Sequence, residues 1–470
     1  MKKSRLWGLI VIMMAVTLVF FACQTDPKSS NVYTDSVMDN ITNNFGQDSS
    51  RELLVQWHKA TNVSTQILQI VPEEGSFDDA KSITVTGVRW NPTRNPPAQS
   101  VGSYTPRNIF KAHVTDLNPG TRYKYRVGNA GDWSETFYHL TSGGANTNFS
   151  FTVVADPQDN VFDGMRVTLR AANEFDANNR FFLIAGDISD YPQENTLEFI
   201  NYTKAANEFN VRRPIAATQG NHDTYINSNP ENRDHYMFGS AEVFNSFVTF
   251  PENGWNQGSH HGPHRSKSYY FYYNNVLVIM LNTFATQNPT GPSEPNHTAQ
   301  ANWLRQILQH DRDNKLSKYT IVVTHIPFFA GRGSSNNNEP WLVAPTREAY
   351  GKILTDFDVD ILFSGHDHVY ARSNPIKIGT NPDLTNINFN PTANGTIFTI
   401  ASSTGPKIYT FRNPEGTTNT FIPRSYPVRT DTQAPGVFLN VKVTNEKMVV
   451  TAMRVGTATP IDSYEVMAKR

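Results

Sequence analysis

Five apolar, β-rich runs in this chain each end directly in a short polar motif, and this pattern constrains the fold more than any other feature. FSFTVVA leads into Asp156-Pro157-Gln158, RFFLIA into Gly186-Asp187-Ile188-Ser189-Asp190, and RPIAATQ into Gly220-Asn221-His222-Asp223. YTIVV leads into Thr324-His325, and DILFS into Gly365-His366-Asp367-His368. Stretches of helical period lie between several of them: MRVTLRAANEF, ENTLEFINYTKAANEF and AQANWLRQILQ. Short strands separated by helices read as an α/β unit, and ligands in such folds gather beyond the carboxyl ends of the strands. The pattern predicts that Asp, His, Asn and Gln side chains collect at one edge of a sheet. Oxygen and imidazole donors without thiolate suit two borderline-hard divalent or trivalent metal ions. Such a set supports metal-assisted hydrolysis.

The amino terminus reads as an export segment. Lys2, Lys3 and Arg5 make a basic n-region, and Leu6 to Ala22 is an almost unbroken apolar run. It ends at Cys23, the only cysteine in the chain. A sole thiol after a small residue at this point resembles a bacterial lipobox, which implies acylation of Cys23, cleavage of residues 1–22 and a membrane anchor. Phe20 departs from the leucine usual three residues before the cysteine. An ordinary signal peptide and an uncleaved anchor are the alternatives, and all three export the protein. With one cysteine there is no disulfide within the chain, so a core must supply the stability. The net charge is −1 and no long basic run occurs, so no nucleic-acid partner is expected.

At 470 residues the chain is long enough for two domains. Residues 23–49 are polar and aperiodic, which predicts a solvated linker. Residues 50–143 contain LLVQWHK, STQILQIV, SITVTGVRW, IFKAHVTDL, TRYKYRVG and TFYHLTS, all at a strand period. The glycines Gly143 and Gly144 mark a linker, and residues 148–470 form the α/β domain. Ser268 to Tyr273, turned by Asn274-Asn275 into Val276 to Leu281, predicts a hairpin. Pro406 to Pro435 reads as a surface excursion, and GVFLNVKV, KMVVTAMRV and SYEVMAK as closing antiparallel strands.

Taken together, the order D-x-Q, G-D-x-x-D, G-N-H-D, H and G-H-x-H resembles the calcineurin-like metallophosphoesterases. The turn Leu117-Asn118-Pro119-Gly120, the aromatic strand after it, the Trp57 strand and Trp133-Ser-Glu-Thr-Phe resemble the fibronectin type III-like amino-terminal domain of purple acid phosphatases. The resemblance implies a β-sandwich followed by an α/β (α+β) domain of two mixed sheets flanked by helices. It implies two metal ions, Fe, Mn or Zn, acting on a phosphate-ester substrate. By this resemblance Asp187 bridges the metals. Asp156, Asp187 and His368, with Gln158 as a candidate further ligand, take the first, and Asp187, Asn221, His325 and His366 take the second. His222 matches an outer histidine that contacts phosphate and protonates the leaving group, with Asp223 expected to accept from its other ring nitrogen. Phosphomonoesters are the favoured substrates and phosphodiesters or nucleotides the runner-up. A surface adhesion protein with a vestigial phosphoesterase domain is the alternative of another class. The resemblance leaves the oligomeric state open.

Two positions depart from the pattern. Purple acid phosphatases owe their colour to a tyrosinate on Fe(III), three residues after the bridging aspartate. Here that position holds Asp190, with Tyr191 one residue later. Gln158 stands where many non-purple relatives carry a metal-binding histidine. Arg332 is a weaker candidate for substrate phosphate, as a fork donor in a Gly-rich loop. His260, His261 and His264 read as an ordinary loop, and His58, His113 and His139 as surface or half-buried strand residues.

Overall fold

The computed structural model describes residues 39–90, 106–143, 148–192, 197–224, 241–254, 268–283, 296–329, 331, 340–378, 387–388, 395–407, 409, 424–426 and 436–468. The export segment with Cys23, the histidines His260, His261 and His264, and Arg332 lie outside these residues, as does most of Pro406 to Pro435.

Two antiparallel sheets make the amino-terminal β-sandwich. In one, Leu53–Ala60 lies between Asp39–Phe45 and Arg107–Val114, with Val88–Trp90 beyond. In the other, Thr65–Pro72 lies between Lys81–Thr86 and Arg122–Asn129. Strand alternation turns Trp57, Leu68, Ile70, Phe110, Tyr125 and Val127 into the space between the sheets. Trp57 stacks on Phe110 with ring centroids 5.6 Å apart. At the Pro119-Gly120 turn, Gly120 takes φ 61° and the Tyr123 hydroxyl accepts the Asn118 amide at 2.9 Å. The turn leaves that backbone donor outside any ladder, and the tyrosine satisfies it.

The polar stretch read as a linker ends earlier than its composition suggests, because Asp39–Phe45 is a strand. Its asparagines are buried and bonded. Asn43 Nδ2 donates to the Tyr125 hydroxyl at 2.7 Å and to Asn210 O at 2.8 Å, and Asn44 Nδ2 donates to Thr249 O at 2.9 Å. Buried amides are tolerated when each finds a partner, and apolar periodicity cannot register a strand whose inward side chains are amides. Phe45 passes out of the sandwich and into the core of the following domain, 5.4 Å from the Phe181 ring and 5.2 Å from that of Phe271. The same junction corrects two histidines, since His58 and His139 are fully buried. His58 Nε2 donates to Ser246 O at 2.6 Å, while Asn40 Nδ2 donates to its Nδ1 at 3.3 Å. His113 stays exposed beside Glu52.

The second domain is itself a pair of mixed sheets. One runs Ile215–Ala217, Asn179–Ile184, Phe149–Val154, Val437–Val443, Lys447–Arg454, Asp462–Met467, its first three strands parallel and its last three antiparallel. The other runs Tyr269–Tyr273, Val276–Leu281, Tyr319–Thr324, Ile361–Ser364, Ile397–Ala401, Tyr370–Arg372, Arg424–Tyr426. Its four strands from Val276–Leu281 to Ile397–Ala401 are parallel. Phe151, Phe181 and Leu183 meet Phe271, Val278, Ile321 and Phe363 between the sheets. On the outer faces, helix Asn296–Asn314 lays Trp303, Leu304 and Leu308 against Ile279, Val322 and Leu362. Helices Asp163–Phe175 and Leu197–Asn210 cover the other sheet, Phe175 on Phe438 and Phe209 on Phe182. These strands are apolar on both faces because both faces are covered.

The motif-bearing strands divide between the sheets, three in the first and two in the second. The expected single sheet edge is therefore a rim shared by two sheets. Asp462 ties that rim across the layers, accepting from the Tyr370 hydroxyl at 2.9 Å and from Arg372 Nε at 2.6 Å. Among the described residues no helix is long and apolar enough to cross a membrane.

Candidate metal centre

Asp156, Asp187, His366 and His368 all leave their strands with positive φ, of 49°, 51°, 70° and 46°. A non-glycine residue in this region costs of order 1–3 kcal/mol and persists only where its surroundings enforce it. Four such residues at one rim mark a site where side-chain direction outweighs backbone comfort. The turns also pack tightly, since a Cβ at Gly220 would fall 2.1 Å from Asp187 Oδ1. Only glycine admits that approach.

The strained turns converge on two clusters. The ligand atoms of Asp187, His325 and His366 lie within 4.8 Å of one another, and so do those of Asp156, Asp187 and His368. Asp187 belongs to both. Asn221 joins the first-named cluster, its Oδ1 2.9 Å from His325 Nε2 and 3.0 Å from His366 Nδ1. His325 Nε2 and His366 Nδ1 face each other at 3.3 Å, and His368 Nε2 lies 3.1 Å from Asp156 Oδ1. The opposite ring nitrogens are fixed by carbonyls, His325 Nδ1 by Ala185 O at 2.8 Å and His368 Nδ1 by Lys407 O at 3.0 Å. Those bonds direct the other nitrogen of each ring inward, as outer-shell carbonyls do for metal-binding histidines.

Electrostatics reflect the same crowding. Burial disfavours the His325 cation, but the carboxylates of Asp187 and Asp156 overcome it and push the imidazole up to about 9. Burial raises Asp187, yet His325 and His222 outweigh it and hold the carboxyl below its usual range. Gln158 donates Nε2–H to Asp187 Oδ2 at 2.9 Å, while its buried Oε1 has no hydrogen-bond partner. Converging imidazoles, carboxylates and an orphaned amide oxygen fit a pair of metal ions.

His222 stands beside the clusters, 14% exposed, with its backbone amide on Asp187 Oδ1 at 2.9 Å. Burial lowers its imidazole to about 4, despite the opposing pull of Asp187. Its Nδ1 lies 3.2 Å from Asp190 O and 3.3 Å from Asp190 Oδ1. The expected Asp223 partnership is not what the structure contains. Asp223 Oδ1 accepts the amides of Ile188 at 2.8 Å and Ser189 at 3.0 Å, and its Oδ2 accepts that of Gly220 at 2.7 Å. His222–Thr224 is a 3-10 turn, where successive side chains diverge by about 120°, so the two residues face apart. Asp223 clamps two loops together, and burial with the nearby Asp187 charge pushes its carboxyl up to about 8.

Asp190 pairs with Lys407, and the Tyr191 ring meets His222 edge-on at 5.9 Å. Glu198, in the first turn of its helix, accepts the amides of Asp190 at 2.8 Å and Tyr191 at 3.1 Å. Motif reading missed Glu198, Lys407 and the whole Ser402 to Lys407 loop. The loop had a signal: Ser-Ser-Thr-Gly follows the apolar run TIFTIA as the other motifs follow theirs.

Residues 149–370 match the calcineurin-like phosphoesterase family, and residues 38–141 match the purple acid phosphatase amino-terminal domain. The chain thus carries a calcineurin-like metallophosphoesterase domain behind a purple acid phosphatase amino-terminal domain. It is a hydrolase of phosphoric esters, and a binuclear metal centre is the cofactor of its family. Purple acid phosphatase 21 of Arabidopsis thaliana is 24% identical over 80% of this chain and 78% of its own length. Fe(3+)-Zn(2+) purple acid phosphatase 12 of the same plant is 23% identical over 58% of this chain and 54% of its own length. The purple acid phosphatase PPD1 of yellow lupin superposes with a TM-score of 0.70 at 14% identity, covering 92% of this chain and 74% of the lupin chain. PhoD superposes at 0.58 and 12% identity, over 92% and 90% of the two chains.

Proposed function

We propose that this phosphoesterase is an exported, lipid-anchored enzyme that hydrolyses phosphomonoesters at a binuclear centre. The observation that carries the reading is the membership of Asp187 in both ligand clusters, with the His222 amide donating to its Oδ1. Asp156, Asp187 and His368 would hold one metal, with the free amide oxygen of Gln158 facing no competing donor. Asp187, Asn221, His325 and His366 would hold the other. When bound, such a pair polarises a phosphoryl oxygen and supplies hydroxide near neutral pH. His222 binds the substrate phosphate through Nε2 and protonates the leaving alkoxide. A phosphate dianion beside the ring favours its cation, as does the Asp190 carboxylate behind it. Asp223 shapes the loops without touching substrate.

Monoester preference draws support from the acid phosphatases among the relatives, and export with acylation from Lys2, Lys3, Arg5, the apolar run and Cys23. Residues 1–22 would be removed, leaving a short tether, the sandwich and the phosphoesterase domain. Metal analysis of the mature protein, with turnover of an aryl phosphomonoester and the matching diester, tests the reading. Two metals per chain and faster monoester hydrolysis are expected. Faster diester hydrolysis would overturn the substrate assignment, and a metal-free active protein the mechanism.

A further inference from the structure

The loop after strand Ile397–Ala401 carries none of the motif residues, yet it wraps the Asp156 turn. Ser403 Oγ and Gly405 N donate to Asp156 O at 2.9 and 3.1 Å, and Thr404 N donates to Ala155 O at 3.0 Å. A Cβ at Gly405 would fall 2.7 Å from Gln158 O, so the approach depends on glycine. From this anchored loop Lys407 makes two contacts of different kinds. Its carbonyl accepts the Nδ1–H of His368 at 3.0 Å, and its ammonium pairs with Asp190 Oδ1, an oxygen 3.3 Å from His222 Nδ1, which also meets the Asp190 carbonyl at 3.2 Å. His368 belongs to a ligand cluster, and His222 stands outside both. One residue thus braces an imidazole of the centre and the carboxylate that flanks the outer imidazole.

We propose that Lys407 is a positioning residue for phosphate-ester hydrolysis, its ammonium fixing Asp190 and, through Asp190, the ring of His222 relative to the centre. The inference rests on the hydrolytic reading above. Asp190 and Lys407 are 26% and 35% exposed, so water competes for the carboxylate wherever the ammonium is absent. A half-exposed pair adds little to folding stability. Its consequence is geometric, because catalytic groups lose much of their effect when displaced by about an ångström.

Lys407→Met keeps the carbonyl and removes the ammonium. It is expected to retain both metals and a wild-type unfolding midpoint. Its kcat for an alkyl phosphomonoester should fall about 10- to 100-fold with KM little changed, and less for an aryl ester whose leaving group needs no proton. Lys407→Arg should restore most of the loss. Unchanged kcat in Lys407→Met, or equal losses on alkyl and aryl esters, would overturn the proposal, and so would a rise in KM alone. Should Lys407→Met not fold, Lys407→Arg decides: near-wild-type kcat supports the role, and a large loss with both metals in place refutes it. Wild-type protein without metals or turnover would bring down the hydrolytic reading itself, a separate outcome.

Discussion

Asp187 accepts the backbone amide of His222 at 2.9 Å with one carboxylate oxygen, while its other oxygen lies 3.3 Å from His325 Nε2. The residue common to both clusters therefore also anchors the peptide that carries His222. Asp187→Ala is expected to lose both metals and hydrolysis together, and Asn221→Ala to lose binuclear binding because an oxygen between His325 and His366 disappears. Losing a catalytic metal removes several kcal/mol of transition-state stabilisation. Metal stoichiometry by plasma mass spectrometry checks both variants. Two metals and near-normal turnover in either would break the assignment.

His222→Ala should keep both metals, since no ligand cluster includes it. Its kcat should fall by about 10²–10⁴, the usual scale of general-acid catalysis, with the larger loss on alkyl esters. Asp223→Asn should behave differently, because its carboxylate holds the amides of Ile188, Ser189 and Gly220. That variant is expected to lower the melting temperature and to slow alkyl and aryl esters equally. Identical leaving-group behaviour in the two variants would contradict the separation of roles.

Histidine burial at the domain junction predicts acid sensitivity. Burial lowers His58 to about 3, with the Arg107 and Lys111 cations adding to the effect against the Ser246 carbonyl. The unfolded chain takes up the proton near 6.5, so stability is full above that pH and is lost as pH falls from 6.5 towards 3. At about 1.4 kcal/mol per unit, a few kcal/mol are at stake. His58→Gln should flatten the pH dependence of urea unfolding across that window. An unchanged slope would mean that His58 is not the titrating group.

The strand-end motifs and the clustering of their oxygen and imidazole donors were legible because parallel strands announce themselves by apolar runs and the turns after them by Gly, Asp and His. Asp39–Phe45 was not, since a strand that buries Asn43 and Asn44 against Tyr125 and Thr249 has no apolar period to read. The pairing of His222 with Asp190 was equally hidden. It depends on the 3-10 turn that points Asp223 at the amides of Gly220, Ile188 and Ser189, a matter of dihedral angles and not of spacing. Lys407 was invisible for a third reason: it contributes through its carbonyl and through a residue on another sheet.

Anchoring makes its own prediction. Cys23→Ala should shift the protein from the membrane fraction to the soluble one or stall its maturation, because no other acylation site is available to a chain with one cysteine. Stable anchoring takes two membrane signals, of which dual acylation is one form. Mass spectrometry of detergent-extracted protein checks it directly. An unmodified Cys23 in mature, membrane-bound material would remove the lipoprotein reading while leaving export intact.

Colour tests the first metal site. A phenolate on Fe(III) gives the visible band of the purple enzymes, and at the matching position this chain has Asp190, occupied by Lys407. Tyr191 meets His222 edge-on, and Tyr409 lies against the His368 ring at 4.6 Å. Iron-loaded protein is therefore expected to lack a strong purple absorbance. If Gln158 ligates, it offers a neutral amide oxygen where an imidazole would bind more firmly, so a metal beside Asp156 and His368 should leave first on dialysis. Gln158→His should slow that loss and spare the metal beside Asn221, His325 and His366. A purple band abolished by Tyr191→Phe or Tyr409→Phe would identify a phenolate ligand and overturn the first expectation. Unchanged metal retention in Gln158→His would overturn the second, and would leave the amide with its hydrogen bond to Asp187 as its whole role.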